Sequence, residues 1–81
     1  MSALVTVQFY AGAREAAGTG TAVVAARDVS ELRVRLGEQF GARLVNIMEV
    51  STLLCDGRRL EATDPLPADC EVELLPPFAG G

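Results

Sequence analysis

One amphipathic helix sits between two groups of alternating apolar segments, and this order limits the folds open to the chain. Val29, Leu32, Leu36 and Phe40 recur at i, i+3, i+7 and i+11, a single stripe of helical period. Asp28 stands just ahead of the stripe. Its carboxylate can accept the Glu31 N–H, and Glu31 can reach back, a capping-box arrangement. Arg33, Arg35 and Glu38 keep to the wet side, and Gly41 supplies the C-terminal stop. A single helix with one apolar stripe cannot enclose a core, so a sheet must cover it.

The flanking segments supply that sheet. From Ala3 to Tyr10, Val5, Val7 and Phe9 share one face while Thr6 and Gln8 take the other, which is a strand of period two. Leu4 and Tyr10 fall on the second face. Gly12, Gly18 and Gly20 make the next stretch a turn region, with one helical turn around Ala13 to Ala17. Thr21 to Ala26 reads as a second strand, antiparallel to the first. After the main helix, Arg43 to Glu49 forms a short helix through Leu44, Ile47 and Met48. Thr52 to Cys55, then Asp56-Gly57, then Arg58-Arg59-Leu60 signals a hairpin, because Asp-Gly suits a type I′ turn. Asp64 to Asp69 is rich in turn formers. The strand Glu71 to Leu75 ends at Pro76-Pro77, since proline cannot donate to a ladder. The order predicts an α+β, two-layer β-grasp (ubiquitin-like) fold, with a mixed sheet of about five strands on one main helix. Residues 1–76 form the domain, and residues 77–81 form a flexible C-terminal tail.

Eighty-one residues suffice for one compact domain, and 49% hydrophobic with 22% charged residues argues against disorder. No apolar run approaches the ~18 residues that span a bilayer. The start shows no secretory signal, so a cytoplasmic location is expected. The sequence has no His and no Trp, and all seven basic residues are Arg. The usual general base near neutral pH, the commonest metal ligand, the Schiff-base amine and the phosphate-loop lysine are therefore all missing. Eleven acidic residues against seven basic ones argue against nucleic acid and suit a basic protein partner. A stand-alone enzyme is the weakest reading; a protein that acts through another protein is the expected one. Cys55 and Cys70 have neither the spacing nor the His neighbours of a zinc or thioredoxin-like site. They are expected as free thiols packed like small hydrophobes, with a disulfide or a reactive thiol as the alternatives. Arg14-Glu15 reads as a local turn contact and Arg58-Arg59 as a solvated hairpin tip. Leu53, Leu75 and Phe78 could form an apolar patch, with core burial the default for Leu53.

The ending carries the chemistry. In Pro76-Pro77-Phe78-Ala79-Gly80-Gly81 the prolines stiffen the exit from the sheet, Phe78 offers an apolar anchor, and the last three residues have almost no side chain. Glycine lets a backbone enter a slot where any Cβ would clash. Such a tail can place its terminal carboxylate inside a catalytic centre that it does not itself contain.

Three stretches resemble the small subunit of molybdopterin synthase, the MoaD-like branch of the ubiquitin-like sulfur carriers. Phe9 to Gly18 is similar to that family's segment after the first strand, with its aromatic residue, alanine, Arg-Glu and glycine. Asp28-Val29 with Leu32 is similar to its helix start, and Pro65-Leu66 through Glu71-Val72 to Gly81 is similar to its ending. Asp69-Cys70 departs from the Gly-Asp usual before the last strand, which puts that turn in question. The resemblance implies that a ubiquitin-activating-type adenylyltransferase uses ATP to convert the Gly81 carboxylate to an acyl-adenylate. A sulfur donor then leaves a thiocarboxylate on Gly81. The large catalytic subunit next transfers this sulfur to a cyclic pyranopterin monophosphate, making the dithiolene of molybdopterin. Gly81 would be the covalent carrier, Gly80 and Ala79 the slender leader, and Phe78 with Pro77 the docking segment, in a heterotetrameric synthase. The chain would be co-substrate and non-catalytic subunit, binding no cofactor or metal itself, with no nucleic-acid or membrane partner. Alternatives are a carrier for thiamine thiazole or cysteine synthesis, a ubiquitin-like protein modifier, or an interaction module with an inert tail.

Overall fold

The computed structural model describes residues 4–77, and its element order follows the expected one. Strand β1 (Leu4–Phe9) is followed by helix α1 (Ala11–Ala17), strand β2 (Thr21–Ala25), the main helix α2 (Val29–Phe40) and helix α3 (Ala42–Glu49). Strands β3 (Thr52–Cys55), β4 (Arg58–Arg59) and β5 (Glu71–Leu75) complete the chain. They form one mixed sheet in the order β2-β1-β5-β3-β4, with β1 and β5 parallel at its centre and the other pairs antiparallel. This is the ubiquitin-like β-grasp arrangement.

The local signals act as their chemistry requires. Asp28 accepts the Glu31 N–H at 2.7 Å, while Glu31 reaches past the cap to the Arg27 N–H, also at 2.7 Å. An N-cap of this kind contributes about 1 kcal/mol. Asp56 (φ 51°) and Gly57 (φ 86°) both adopt positive φ, as a type I′ turn demands. Helix α1 is longer than the single turn expected. It runs for seven residues and is closed by Gly18 at φ 74°, whose N–H donates to the Arg14 carbonyl at 2.9 Å. Its alanines tolerate a helix that the flanking glycines disguise. The turn before β5 is kept despite Asp69: this residue takes φ 62°, a conformation that Asp visits more readily than most.

One face of the sheet is covered by the helices. Val5, Val7, Phe9, Val72 and Leu74 meet Val29, Leu32 and Leu36 of α2 and Leu44 and Met48 of α3, all buried in one cluster. Phe40 closes the stripe with its ring edge-on to Phe9 at a centroid distance of 5.4 Å. Among the described residues no polar or charged residue is buried. None of their helices is long and apolar enough to cross a membrane.

The expectation of free thiols is corrected: Cys55 and Cys70 are joined by an Sγ–Sγ bond, with their Cα atoms 6.1 Å apart. The cause lies in the strand register. Cys55 pairs with Val72 across β3 and β5, which brings position 55 beside the entry to β5. A sequence separation of 15 residues does not reveal that pairing.

Candidate functional site

Strand β5 carries the tail. It lies between β1 and β3, ends at Leu75, and passes directly into half-buried Pro76 and exposed Pro77. Two consecutive prolines cannot extend the ladder, so the chain must leave the sheet here. Phe78, Ala79, Gly80 and Gly81 lie outside the described residues, and of the proposed site only Pro77 is placed.

What surrounds the exit is placed. The parallel register Phe9↔Leu74 sets Tyr10 beside Leu75, and α1 and α3 complete an apolar groove of about 490 Å³. Tyr10, Gly12, Ile47, Val50, Leu75 and Pro77 line it. Val50 is 67% and Tyr10 41% exposed, so the groove is open to solvent. Tyr10, Ile47 and Val50 were not singled out from the sequence. Their only signal was Tyr10 falling on the outer face of β1 and Ile47 on the rim of the α3 stripe. Leu53 takes its expected place in the core rather than joining a patch with Leu75 and Phe78. Leu53 pairs with Leu74 and is buried on the helix side, whereas Leu75 turns to the groove.

The outer face of the sheet beside the groove is acidic. Gln8 Nε2 donates to Glu71 Oε2 at 3.3 Å, and the Tyr10 hydroxyl donates to Glu73 Oε2 at 3.4 Å. Partial desolvation, reinforced by the Glu73 carboxylate, raises the Tyr10 phenol above its ordinary value. Because Tyr10 is the sole tyrosine and there is no Trp, ultraviolet titration reads it alone. The midpoint is expected above about 10, and Glu73→Gln should lower it without abolishing the shift. The native phenol holds its proton more tightly than the unfolded one, so Tyr10 weakens the fold only as pH rises through that alkaline range. An unmoved midpoint in Glu73→Gln would dissolve the contact.

The remaining candidates take their local readings. Arg59 pairs with Glu61 at 3.7 Å on the exposed hairpin. Arg14 lies over Gly20, where an added Cβ would sit 3.6 Å from the guanidinium carbon. Among the described residues the one grouping of metal-ligating types is Cys55, Asp56 and Cys70, with ligand atoms within 4.8 Å of one another. The Sγ–Sγ bond occupies both sulfurs.

No family model and no curated protein sequence matches the chain. Solved structures do. SAMP1 from Haloferax volcanii superposes with a TM-score of 0.83 at 20% identity, over 96% of this chain and 99% of that one. The small archaeal modifier protein 1 from Methanosarcina acetivorans gives 0.79 at 26% identity, over 100% and 99%. A complex of subunits 1 and 2 of molybdopterin-converting factor from Helicobacter pylori gives 0.70 at 26% identity, over 96% and 99%. The structural neighbours thus include both a molybdopterin-converting factor and ubiquitin-like modifiers, at low identity across nearly the whole chain.

Proposed function

We propose that this chain is a ubiquitin-like sulfur carrier acting as the small subunit of molybdopterin synthase, with the Gly81 carboxylate as its reacting group. The observation that carries this reading is the exit of a central strand, β5, through Pro76-Pro77 at the rim of an apolar groove, with Phe-Ala-Gly-Gly next in the sequence. The similarity to a subunit 1 that is solved with its subunit 2 supports a large-subunit partner.

The chemistry follows from the groups available. A carboxylate is a poor electrophile, so one of its oxygens first attacks the α-phosphate of ATP, held by an adenylyltransferase, and pyrophosphate leaves. A sulfur nucleophile then adds to the activated carbonyl carbon and AMP departs, leaving the thiocarboxylate. A thioacid is largely ionised near neutral pH and attacks the pterin precursor in the large subunit. With neither His nor Lys, this chain lacks the usual general bases near neutral pH, which suits proton transfer by groups of the partners. The chain's contribution is delivery: a narrow segment on a rigid sheet, with the acidic outer face of Glu71 and Glu73 suited to a basic partner surface.

Incubation with ATP, a sulfur source and the host activating enzyme is expected to exchange one oxygen for sulfur, localised by intact and peptide mass to the C-terminal peptide. An unmodified peptide beside an active enzyme control would overturn the proposal. A second reading, protein modification, is favoured by the 26% identity to the Methanosarcina modifier. It predicts covalent adducts of this chain on other proteins in denaturing gels, and none on itself, since it has no lysine.

A further inference from the structure

We infer that the Cys55–Cys70 bond is a reversible redox clasp on the fold, opened by small thiols and acting at the end of the sheet opposite the tail. The two cysteines join the end of β3 to the entry of β5. Between them runs the least regular part of the described chain: a two-residue β4 and a connection held by few bonds. Leu66 N–H donates to the Arg27 carbonyl at 2.8 Å and Val29 N–H to the Asp64 carbonyl at 3.0 Å. Leu66 itself is buried. Beyond the bond, Thr6 N–H meets the Cys70 carbonyl at 3.1 Å and Asp69 N–H the Leu4 carbonyl at 3.2 Å. The clasp therefore closes a loop whose ends sit on the β3–β5 ladder and whose interior is tied to the rest of the fold by single hydrogen bonds, among them Ser30 Oγ to the Ala62 carbonyl.

The two sulfurs differ in access. Both cysteines are buried, Cys70 at 2% and Cys55 at 7% exposed, but Cys55 lines a depression of about 190 Å³ with Arg58, Leu60, Asp64, Pro65 and Pro67. A small thiolate enters there and attacks the Cys55 sulfur. The Sγ–Sγ bond breaks, Cys70 leaves as thiolate, and Cys55 is held in a mixed disulfide. A second small thiolate attacks its own kind in that mixed disulfide, releasing the Cys55 thiolate and a small-molecule disulfide. Two electrons pass to the protein, and both thiolates take protons from water. The reverse sequence, with a small-molecule disulfide as oxidant, re-forms the clasp.

The clasp is separate from the tail chemistry. Thr52 pairs with Leu75 and Cys55 with Val72, so the sulfurs and the tail root occupy opposite ends of β5. Residues 70 to 77 span roughly 20 Å when extended, which sets the sulfurs a full strand length from the tail root.

The test uses the full chain equilibrated, from both directions, in glutathione redox buffers, with maleimide labelling and thermal melts. Full reversibility is expected, with the closed form melting about 10–20 °C above the open one, the size expected for a closed loop of 15 residues. A Cys55→Ser, Cys70→Ser variant should melt like the open form and ignore reductant. The wild-type comparison stands even if that variant does not fold. Sulfur loading of the tail should proceed at equal rates in both forms. Equal melting temperatures, two maleimides added in oxidising buffer, or zinc held by both thiolates in the reduced chain would each overturn the clasp.

Discussion

Gly80→Ile is expected to stop sulfur loading at Gly81 while leaving the domain folded. The substitution lies beyond the end of β5 and the Pro76-Pro77 break, so thermal and urea unfolding should match the parent chain. The reaction should not match. Under the proposed function the carbonyl carbon of Gly81 must reach an ATP-bearing centre on another protein, and a slot fitted to a Gly-Gly backbone would leave no room for a branched side chain one residue upstream. A displacement of about 1 Å at a reacting centre costs roughly 100-fold, and a side chain that cannot enter displaces it further. The measurement is the rate of thiocarboxylate appearance on the C-terminal peptide with the activating enzyme in excess. A rate within threefold of the parent would remove the tail from the mechanism. Gly81 deletion is the companion variant, because it shortens the thread without widening it.

The two halves of the problem were legible to different depths. Strand periodicity at Val5, Val7 and Phe9, the capped stripe from Asp28 to Phe40, and Asp56-Gly57 each arise from interactions a few residues apart, so the linear order displays them. The parallel pairing of β1 with β5 joins Thr6 to Glu71 and is a consequence of global packing. The groove descends from it, and the cysteine bond from the equally long-range pairing of β3 with β5. Tyr10 becomes a groove residue only because Leu75 arrives beside it, and Cys55 meets Cys70 only because β3 lies along β5. Helix α1 was underestimated for a different reason: Gly12, Gly18 and Gly20 are turn signals, yet Gly18 serves as the cap of the helix that precedes it. The tail motif was the opposite case. It stands out in the sequence because the chemistry proposed for it needs small residues in a row, not neighbours.

Phe9→Ala supplies the contrasting large effect, because it attacks the scaffold and spares the thread. Phe9 is 2% exposed on a central strand, opposite Leu74 in the parallel register and edge-on to Phe40. Truncating a buried Phe removes its transfer free energy and leaves a cavity, together about 3–5 kcal/mol. At ~0.05–0.15 kcal/mol per residue the whole domain holds only about 4–12 kcal/mol, so a large share of its stability is lost. Urea denaturation followed by circular dichroism should show the midpoint falling sharply, with Phe9→Leu intermediate. Part of the loss belongs to the ring pair, and a double-mutant cycle of Phe9→Leu with Phe40→Leu should return a coupling of about 0.5–1.5 kcal/mol. A cost below about 1 kcal/mol for Phe9→Ala would contradict its place in the core. The two variants also separate by temperature. Loading lost in Phe9→Ala should return wherever the variant refolds, on cooling or with a stabilising osmolyte, since its tail is intact. Loading lost in Gly80→Ile should stay lost under every condition in which the domain is folded, because the obstruction is in the thread itself.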